Sequence, residues 1–116
     1  MTHKSPITTH VLDTALGRPA EGVSIILSSI SSDGEWTLLA SGLTNGDGRI
    51  DDLMVAGSLQ AGVYQMRFEI GEYFRSLELR GFYPEAVITF EVSSVDEHYH
   101  IPLLLSPFGY STYRGS

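Results

Sequence analysis

His98-Tyr99-His100-Ile101-Pro102-Leu103-Leu104-Leu105-Ser106 is the stretch that decides the fold. Side chains alternate across a strand, so the run sorts into two faces. Tyr99, Ile101, Leu103 and Leu105 make one unbroken apolar face, which belongs against a core. His98, His100, Pro102, Leu104 and Ser106 make the other. It mixes two imidazoles with a proline and a leucine, and suits neither a dry core nor a plain solvated surface. Pro102 cannot donate to a ladder, which fits an edge or a special position.

Outward from this run the chain is a series of short, β-branched segments separated by turn residues, the spacing of a sandwich or barrel. Residues 7–13 form a first strand, with Thr8, His10 and Leu12 on one face and Ile7, Thr9, Val11 and Asp13 on the other. Gly17-Arg18-Pro19 marks a loop. Residues 23–30 and 36–41 form the next two strands, joined by the hairpin-type turn Ser31-Ser32-Asp33-Gly34. Asn45-Gly46-Asp47-Gly48 is the strongest turn signal, because Asn-Gly and Asp-Gly supply the positive φ of tight turns. A short strand is expected at 49–54. Residues 63–70 alternate cleanly, with Tyr64, Met66, Phe68 and Ile70 inward. Between 72 and 80, Tyr73, Phe74, Leu77 and Arg80 recur at helical spacing, which predicts one short helix ending near Gly81. Pro84 opens an extended region, 87–92 and 98–106 are strands, Pro107 interrupts, and 110–113 make a last strand. The expected fold is all-β, with seven or eight strands and one short helix.

Composition narrows the function. A chain of 116 residues has room for one domain with one core, 1–116. At 42% hydrophobic it is too apolar to be disordered. A formal charge of -7 with seven scattered Lys and Arg argues against nucleic acid as a partner. No cysteine is present, which removes disulfides and thiolate chemistry and fits a reducing compartment. Met1-Thr2-His3-Lys4-Ser5-Pro6 has no apolar run of a signal peptide, and no stretch of ~18 apolar residues spans a membrane. A cytoplasmic location is the expectation.

Among chemistry-bearing residues, His98 and His100 share a strand face and so have metal-ligand spacing. Zinc sites need three or four convergent ligands, and the chain offers no Cys and only two other His, so no metal is expected. A Ser-His-Asp triad lacks its Gly-x-Ser-x-Gly elbow. Arg49 after a Gly-Asp-Gly turn is ordinarily a surface charge. The ending Tyr113-Arg114-Gly115-Ser116 gathers an aromatic, a guanidinium and a carboxylate, a set able to close over a small ligand where most termini are polar and mobile.

Thr9-His10-Val11-Leu12-Asp13 with Gly17-Arg18-Pro19-Ala20, Thr44-Asn45-Gly46-Asp47-Gly48-Arg49, and His98 through Pro107 running on to Tyr113-Arg114-Gly115-Ser116 together resemble the 5-hydroxyisourate hydrolase family, the transthyretin-related enzymes of urate breakdown. The match spans nearly the whole chain. The resemblance implies a transthyretin-like two-sheet β-sandwich and a homotetramer, a dimer of dimers whose central channel has the active sites at its mouths. It implies hydrolysis of 5-hydroxyisourate to 2-oxo-4-hydroxy-4-carboxy-5-ureidoimidazoline without a metal or organic cofactor. The family's catalytic positions fall on His10, Arg49 and His100, and substrate binding on His10, Arg49, Tyr113, Arg114 and Ser116. His10 and His100 then activate water and move protons, since a histidine titrates near about 6.5. Arg49 holds substrate oxygens and developing negative charge with its planar donor fork. Tyr113 positions the ring, and Arg114 and the Ser116 carboxylate orient the tail or the histidines. His98 is assigned a supporting or channel-surface place. Two other functions remain to be weighed. One is a transthyretin-like carrier of small aromatic ligands without catalysis, which the two histidines and the Tyr-Arg-Gly-Ser ending count against. The other is an adhesion sandwich, which predicts a secretion signal or flanking domains.

Overall fold

The computed structural model describes residues 5–116. In chain order its elements are β1 (Ile7–Asp13), β2 (Arg18–Pro19), β3 (Ser24–Ile30), β4 (Trp36–Leu43), β5 (Arg49–Ile50), β6 (Gly62–Phe68), α1 (Ile70–Ser76), β7 (Ala86–Val92), β8 (Tyr99–Ser106) and β9 (Gly109–Thr112). One sheet runs β2-β1-β8-β9, with β5 also paired to β1; the other runs β4-β3-β6-β7. The fold is therefore an all-β sandwich of two sheets with one short helix, the form that the family resemblance implies and one of the two that the strand spacing allows. No helix among the described residues is long and apolar enough to cross a membrane.

The alternation read from the sequence is the alternation observed. In β1 the buried positions are Ile7, Thr9, Val11 and Asp13, and the half-buried ones Thr8, His10 and Leu12. In β8, Tyr99, Ile101, Leu103 and Leu105 are buried, and from β6 so are Tyr64, Met66 and Phe68. These inner faces form one core cluster with Val23, Ile25 and Leu27 of the β3 region. Burying a side chain of this size contributes about 1.5–3 kcal/mol against exposure, so the shared core dominates the cohesion of the two sheets.

Two polar residues sit on the core side of β1, and each is satisfied. The Thr9 hydroxyl donates to the Ile101 carbonyl at 2.7 Å. The Asp13 carboxylate accepts from the Ala15 and Leu16 amides at 3.0 Å each and from the Tyr73 hydroxyl at 2.7 Å. That last bond pins α1 to the end of β1. Burial and the neighbouring carboxylate both push the Tyr73 hydroxyl upward from its ordinary value, so it stays a donor.

Several boundaries move. The helix begins at Ile70, the residue taken as the end of the preceding strand, and stops at Ser76 rather than near Gly81. Ile70, Tyr73 and Phe74 do supply the helical spacing and are buried, but Glu78 takes a φ of 59°, which ends the turn before Arg80. Residues 51–54 do not extend β5, which pairs with β1 only at Thr9↔Ile50 and His10↔Arg49. The Met54 amide instead donates to the Ser5 hydroxyl at 3.0 Å. Arg18 and Pro19, in the expected loop, instead pair with Asp13 and Leu12. Strand β4 runs on to Leu43, and β9 ends at Thr112, leaving Tyr113 beyond it.

Pro102 is not on an edge strand. It lies inside β8, which is parallel to β1 on one side and antiparallel to β9 on the other. The Tyr99 amide donates toward β1, to the Pro6 carbonyl, so by alternation the Pro102 nitrogen faces the β9 side. There the ladder stops at Leu103↔Thr112, and the missing donor is not needed. The Thr112 hydroxyl donates to the Pro102 carbonyl at 2.7 Å, and the chain then rejoins β8 as a lone bridge at His100↔Gly115, in the same register. This is the special position that a proline in an inner strand requires.

The turn before β5 sets the direction of Arg49. The Asn45 side-chain oxygen accepts from the Asp47 and Arg49 amides at 2.9 and 3.0 Å. Gly48 follows at φ +74°, and its carbonyl accepts from the Val11 amide at 2.8 Å. A Cβ on Gly48 would run into the Val11 carbonyl. Gly48→Ala is therefore expected to cost at least the ~1–2 kcal/mol of a left-handed residue, with the steric overlap added. Urea denaturation measures it, and a midpoint equal to the parent's would contradict this account of the turn.

Candidate active site

The site grows from the outer face of the β1–β8 pair. Parallel register sets Thr8 beside His100 and His10 beside Pro102, while antiparallel β5 sets Arg49 across from His10. Three segments that are distant in sequence thus deliver side chains to one face. The Thr8 hydroxyl lies 2.8 Å from His98 Nε2 and 2.8 Å from His100 Nδ1. The two imidazoles are roughly parallel, with centroids 6.5 Å apart and planes at 21°. Thr8, His98 and His100, with Arg49, Asp51 and Ser116, line an open hollow of about 580 Å³. His10 flanks it through its pairing with Arg49.

The electrostatics favour neutral imidazoles. Burial first, then the Arg49 guanidinium, lowers His10 from its ordinary value; the Asp47 carbonyl and carboxylate pull the other way. His100 is also lowered, by burial first and then by Arg49, His98 and His10. A neutral imidazole can accept a proton, which is what a general base at neutral pH must do. The guanidinium that adds to burial in disfavouring the charged rings is also the donor fork available to a carbonyl oxygen gaining negative charge.

The tail is held in place. The Gly115 amide donates to the His100 carbonyl at 2.9 Å, and a Cβ at this position would overlap the His100 ring, so only glycine passes this close. Arg114 donates to Glu97 at 3.1 Å and to the His98 carbonyl at 3.3 Å, and its guanidinium stacks over the Tyr99 ring at 4.5 Å. Ser116 consequently reaches the hollow. Tyr113 and Arg114 line a neighbouring, smaller cavity of about 280 Å³ between the tail and β7, and His100 borders both cavities. Of the residues expected from the sequence, Arg49, His100 and Ser116 meet in the main hollow with His10 beside it. Tyr113, mostly exposed, and Arg114 stand on the far side of the tail.

Two residues at the hollow, Thr8 and Asp51, were not among the residues singled out from the sequence. Thr8 shares the face of His10, a signal that was present, but only the β1–β8 register reveals that it stands between two histidines. His98, given a supporting or channel-surface place, contacts the same hydroxyl as His100. Asp51 follows β5 into the rim. No group of three or more His, Cys, Asp or Glu that could hold a metal is found among the described residues.

A model of the HIUase/Transthyretin family matches residues 7–115, and so covers every strand and the tail to Gly115. The chain belongs to this family. Within the HIUase/Transthyretin family it is 46% identical over 110 residues to the 5-hydroxyisourate hydrolase of Salmonella dublin, covering 95% of this chain and 80% of the relative. It is 40% identical over 116 residues to that of Mus musculus, covering 99% and 98%. Among solved structures, sea bream transthyretin in complex with thyroxine matches with a TM-score of 0.92 at 33% identity, covering 96% and 95%. Klebsiella pneumoniae 5-hydroxyisourate hydrolase matches with a TM-score of 0.80 at 37% identity over all of both chains. A 5-hydroxyisourate hydrolase and a transthyretin in complex with thyroxine thus share this backbone, and side chains must separate them.

Both site histidines are expected to titrate below the reference value of about 6.5. Removing the guanidinium should raise both, because a nearby positive charge disfavours the imidazolium. NMR titration of the imidazole protons in the parent and in Arg49→Met checks this. Unchanged midpoints for His10 and His100 would show that Arg49 is not facing them.

Proposed function

We propose that this protein hydrolyses 5-hydroxyisourate to 2-oxo-4-hydroxy-4-carboxy-5-ureidoimidazoline, a step of urate degradation. The observation that carries the proposal is the meeting of His10, Arg49 and His100 on one sheet face, with both imidazoles held toward the neutral form. The curated relatives named as this hydrolase, at 40–46% identity over nearly the full chain, support the same reaction.

The product carries a carboxyl and a ureido group, the two halves of a cleaved ring amide. Water must therefore add to a ring carbonyl, and the carbon–nitrogen bond must then break. His100, or His10 beside Arg49, takes the proton of the attacking water. Arg49 holds the oxygen that becomes negative as the tetrahedral centre forms. The ring nitrogen leaves as it receives a proton, and the new carboxyl ionises. Donors already aimed at the developing charge need no reorganisation at the moment of reaction, the largest single contribution in many hydrolytic sites. Ser116 closes one side of the hollow, Arg114 and Gly115 secure the tail that carries it, and Tyr113 positions the substrate ring.

The carrier alternative has the fold on its side but not the side chains. A pocket for an apolar aromatic ligand gains nothing from two half-buried imidazoles beside a guanidinium, because an apolar ring offers their polar atoms nothing to bond. The protein acts as a homotetramer, a dimer of dimers, with the β1–β8 outer face toward a channel between dimers. Support comes from the family and from the mixed character of that face, with Pro102 buried and Leu104 half-buried among polar residues. The absence of cysteine is compatible with work in the cytoplasm.

Ultraviolet absorbance of freshly generated 5-hydroxyisourate should decay faster with the purified protein than without it. His10→Ala, Arg49→Ala and His100→Ala should each lower kcat/KM by roughly 100- to 10,000-fold with unchanged circular dichroism. Removal of residues 113–116 should abolish turnover while the sandwich still unfolds cooperatively. Sedimentation should give a tetramer. Decay unaffected by the parent protein overturns the hydrolase proposal.

A further inference from the structure

The contact of one hydroxyl with two imidazoles imposes a rule. A threonine hydroxyl has one proton to donate and two lone pairs to accept with. Thr8 Oγ1 stands 2.8 Å from His98 Nε2 and 2.8 Å from His100 Nδ1, both within hydrogen-bond distance. If both bonds are made, Thr8 donates to one ring and accepts from the other. Two neutral arrangements satisfy this. In one, Thr8 donates to His98, His100 donates through Nδ1–H, and His100 Nε2 is bare. In the other, His98 donates through Nε2–H, Thr8 donates to His100 Nδ1, and His100 Nε2 carries a proton. With Nδ1 occupied by Thr8, Nε2 is the nitrogen left to meet water or substrate. The arrangements are therefore the base form and the acid form of the same histidine.

We propose that Thr8 and His98 act on the reaction as a proton relay, His98–Thr8–His100, that switches His100 between its base and acid forms. The proposal rests on the hydrolase function above. Hydrolysis of a ring amide needs both forms in turn: Nε2 first takes a proton from the attacking water and later gives one to the leaving nitrogen. In the first step the water O–H bond breaks and Nε2–H forms. His100 Nδ1–H passes its proton to Thr8 Oγ1, Thr8 passes its own to His98 Nε2, and His98 Nδ1–H releases one to solvent. In the second step Nε2–H goes to the leaving nitrogen, and the same three transfers run backward with His98 Nδ1 drawing a proton from solvent. Each step conserves protons, and the surplus one per neutral ring cleaved is that of the ionising carboxyl product.

The surroundings favour passing the proton on over storing it. Around His100 stand His10 on β1, Arg49 on β5 with Asp51 just beyond it, His98 before β8, and Arg114 in the tail. Burial and the three cationic or basic neighbours Arg49, His98 and His10 disfavour an imidazolium at His100. His98 is exposed to solvent and can exchange protons with it, whereas His100 is half-buried. Thr8 and His98 are positioning residues in this scheme, since both act through His100.

Thr8→Val keeps the branched shape and removes the hydroxyl. It should lower kcat by about tenfold or more, less than the roughly 100- to 10,000-fold of a lost general acid or base because His100 itself remains, with KM little changed, and Thr8→Ser should restore most of the loss. His98→Gln keeps a donor toward Thr8 but cannot accept and pass a proton. It should lower kcat to the same degree, and the double variant Thr8→Val/His98→Gln should be no worse than either single one. The proton inventory of kcat in mixed light and heavy water should be curved for the parent and linear for Thr8→Val. A His98→Gln variant with parental kcat and a curved inventory overturns the relay while leaving the hydrolase function standing; a parent protein with no turnover overturns that function instead. Imidazole 15N shifts test the coupling without turnover. In the resting parent at neutral pH, one and only one of His98 Nε2 and His100 Nδ1 should carry a proton. Both bare or both protonated overturns the relay.

Discussion

The parallel pairing of β1 with β8 is the constraint on which the site depends. It joins residues some 92 positions apart in the chain, and fixes them to within one residue because a slip by one would turn Ile7, Thr9 and Val11 outward. The dry side of this pair holds the core together. The wet side receives Thr8 opposite His100, and through β5 it receives Arg49 opposite His10. Core packing and the geometry of the candidate site are thus one decision seen from the two faces of a sheet. Parallel strands are ordinarily buried on both faces, so a half-open parallel pair leaves a face that something must use.

Much of this was legible beforehand because it follows from period-two alternation. The inward faces of β1, β6 and β8 could be listed from hydrophobicity alone, and the odd outward face of β8 announced itself by its imidazoles. Boundaries set by tertiary hydrogen bonds were not legible. Residues 51–54 look like a strand continuing from Arg49, yet the Met54 amide finds the Ser5 hydroxyl and the ladder stops at Ile50. Apolar spacing says nothing about Glu78 entering the left-handed region, so it carries the expected helix past Ser76, where the observed one stops. The place of Thr8 between two histidines depends on which strand neighbours β1 and in which register, which no local pattern encodes. The tail was legible as unusual, but not that Arg114 spends its charge on Glu97 and Tyr99 to fasten the chain.

The likeness to both hydrolases and a thyroxine-binding transthyretin shows how little of the chemistry resides in the backbone. The β-sandwich supplies a rigid plane, and a few outward-facing positions determine what that plane does. Here those positions are unusually interdependent. Arg49 adds to burial in lowering both histidines, Gly48 aims Arg49, and Gly115 can pass the His100 ring only because it lacks a side chain. A change at any one of them reaches the others through contact rather than through the core.

Closure of the sheet has a temporal consequence. A chain that has emerged only as far as β7 already contains Thr8, His10 and Arg49, but no partner strand to hold β1 on its inner side. The hollow cannot exist until residues 99–115 have docked beside the first strand, and such distant pairings are slow because loop-closure entropy is spent before contacts reward it. The tail bridge at His100↔Gly115 lies at the far end of that docking segment. Catalytic competence in this architecture is therefore a late event in the life of the polypeptide, and its onset marks completed folding.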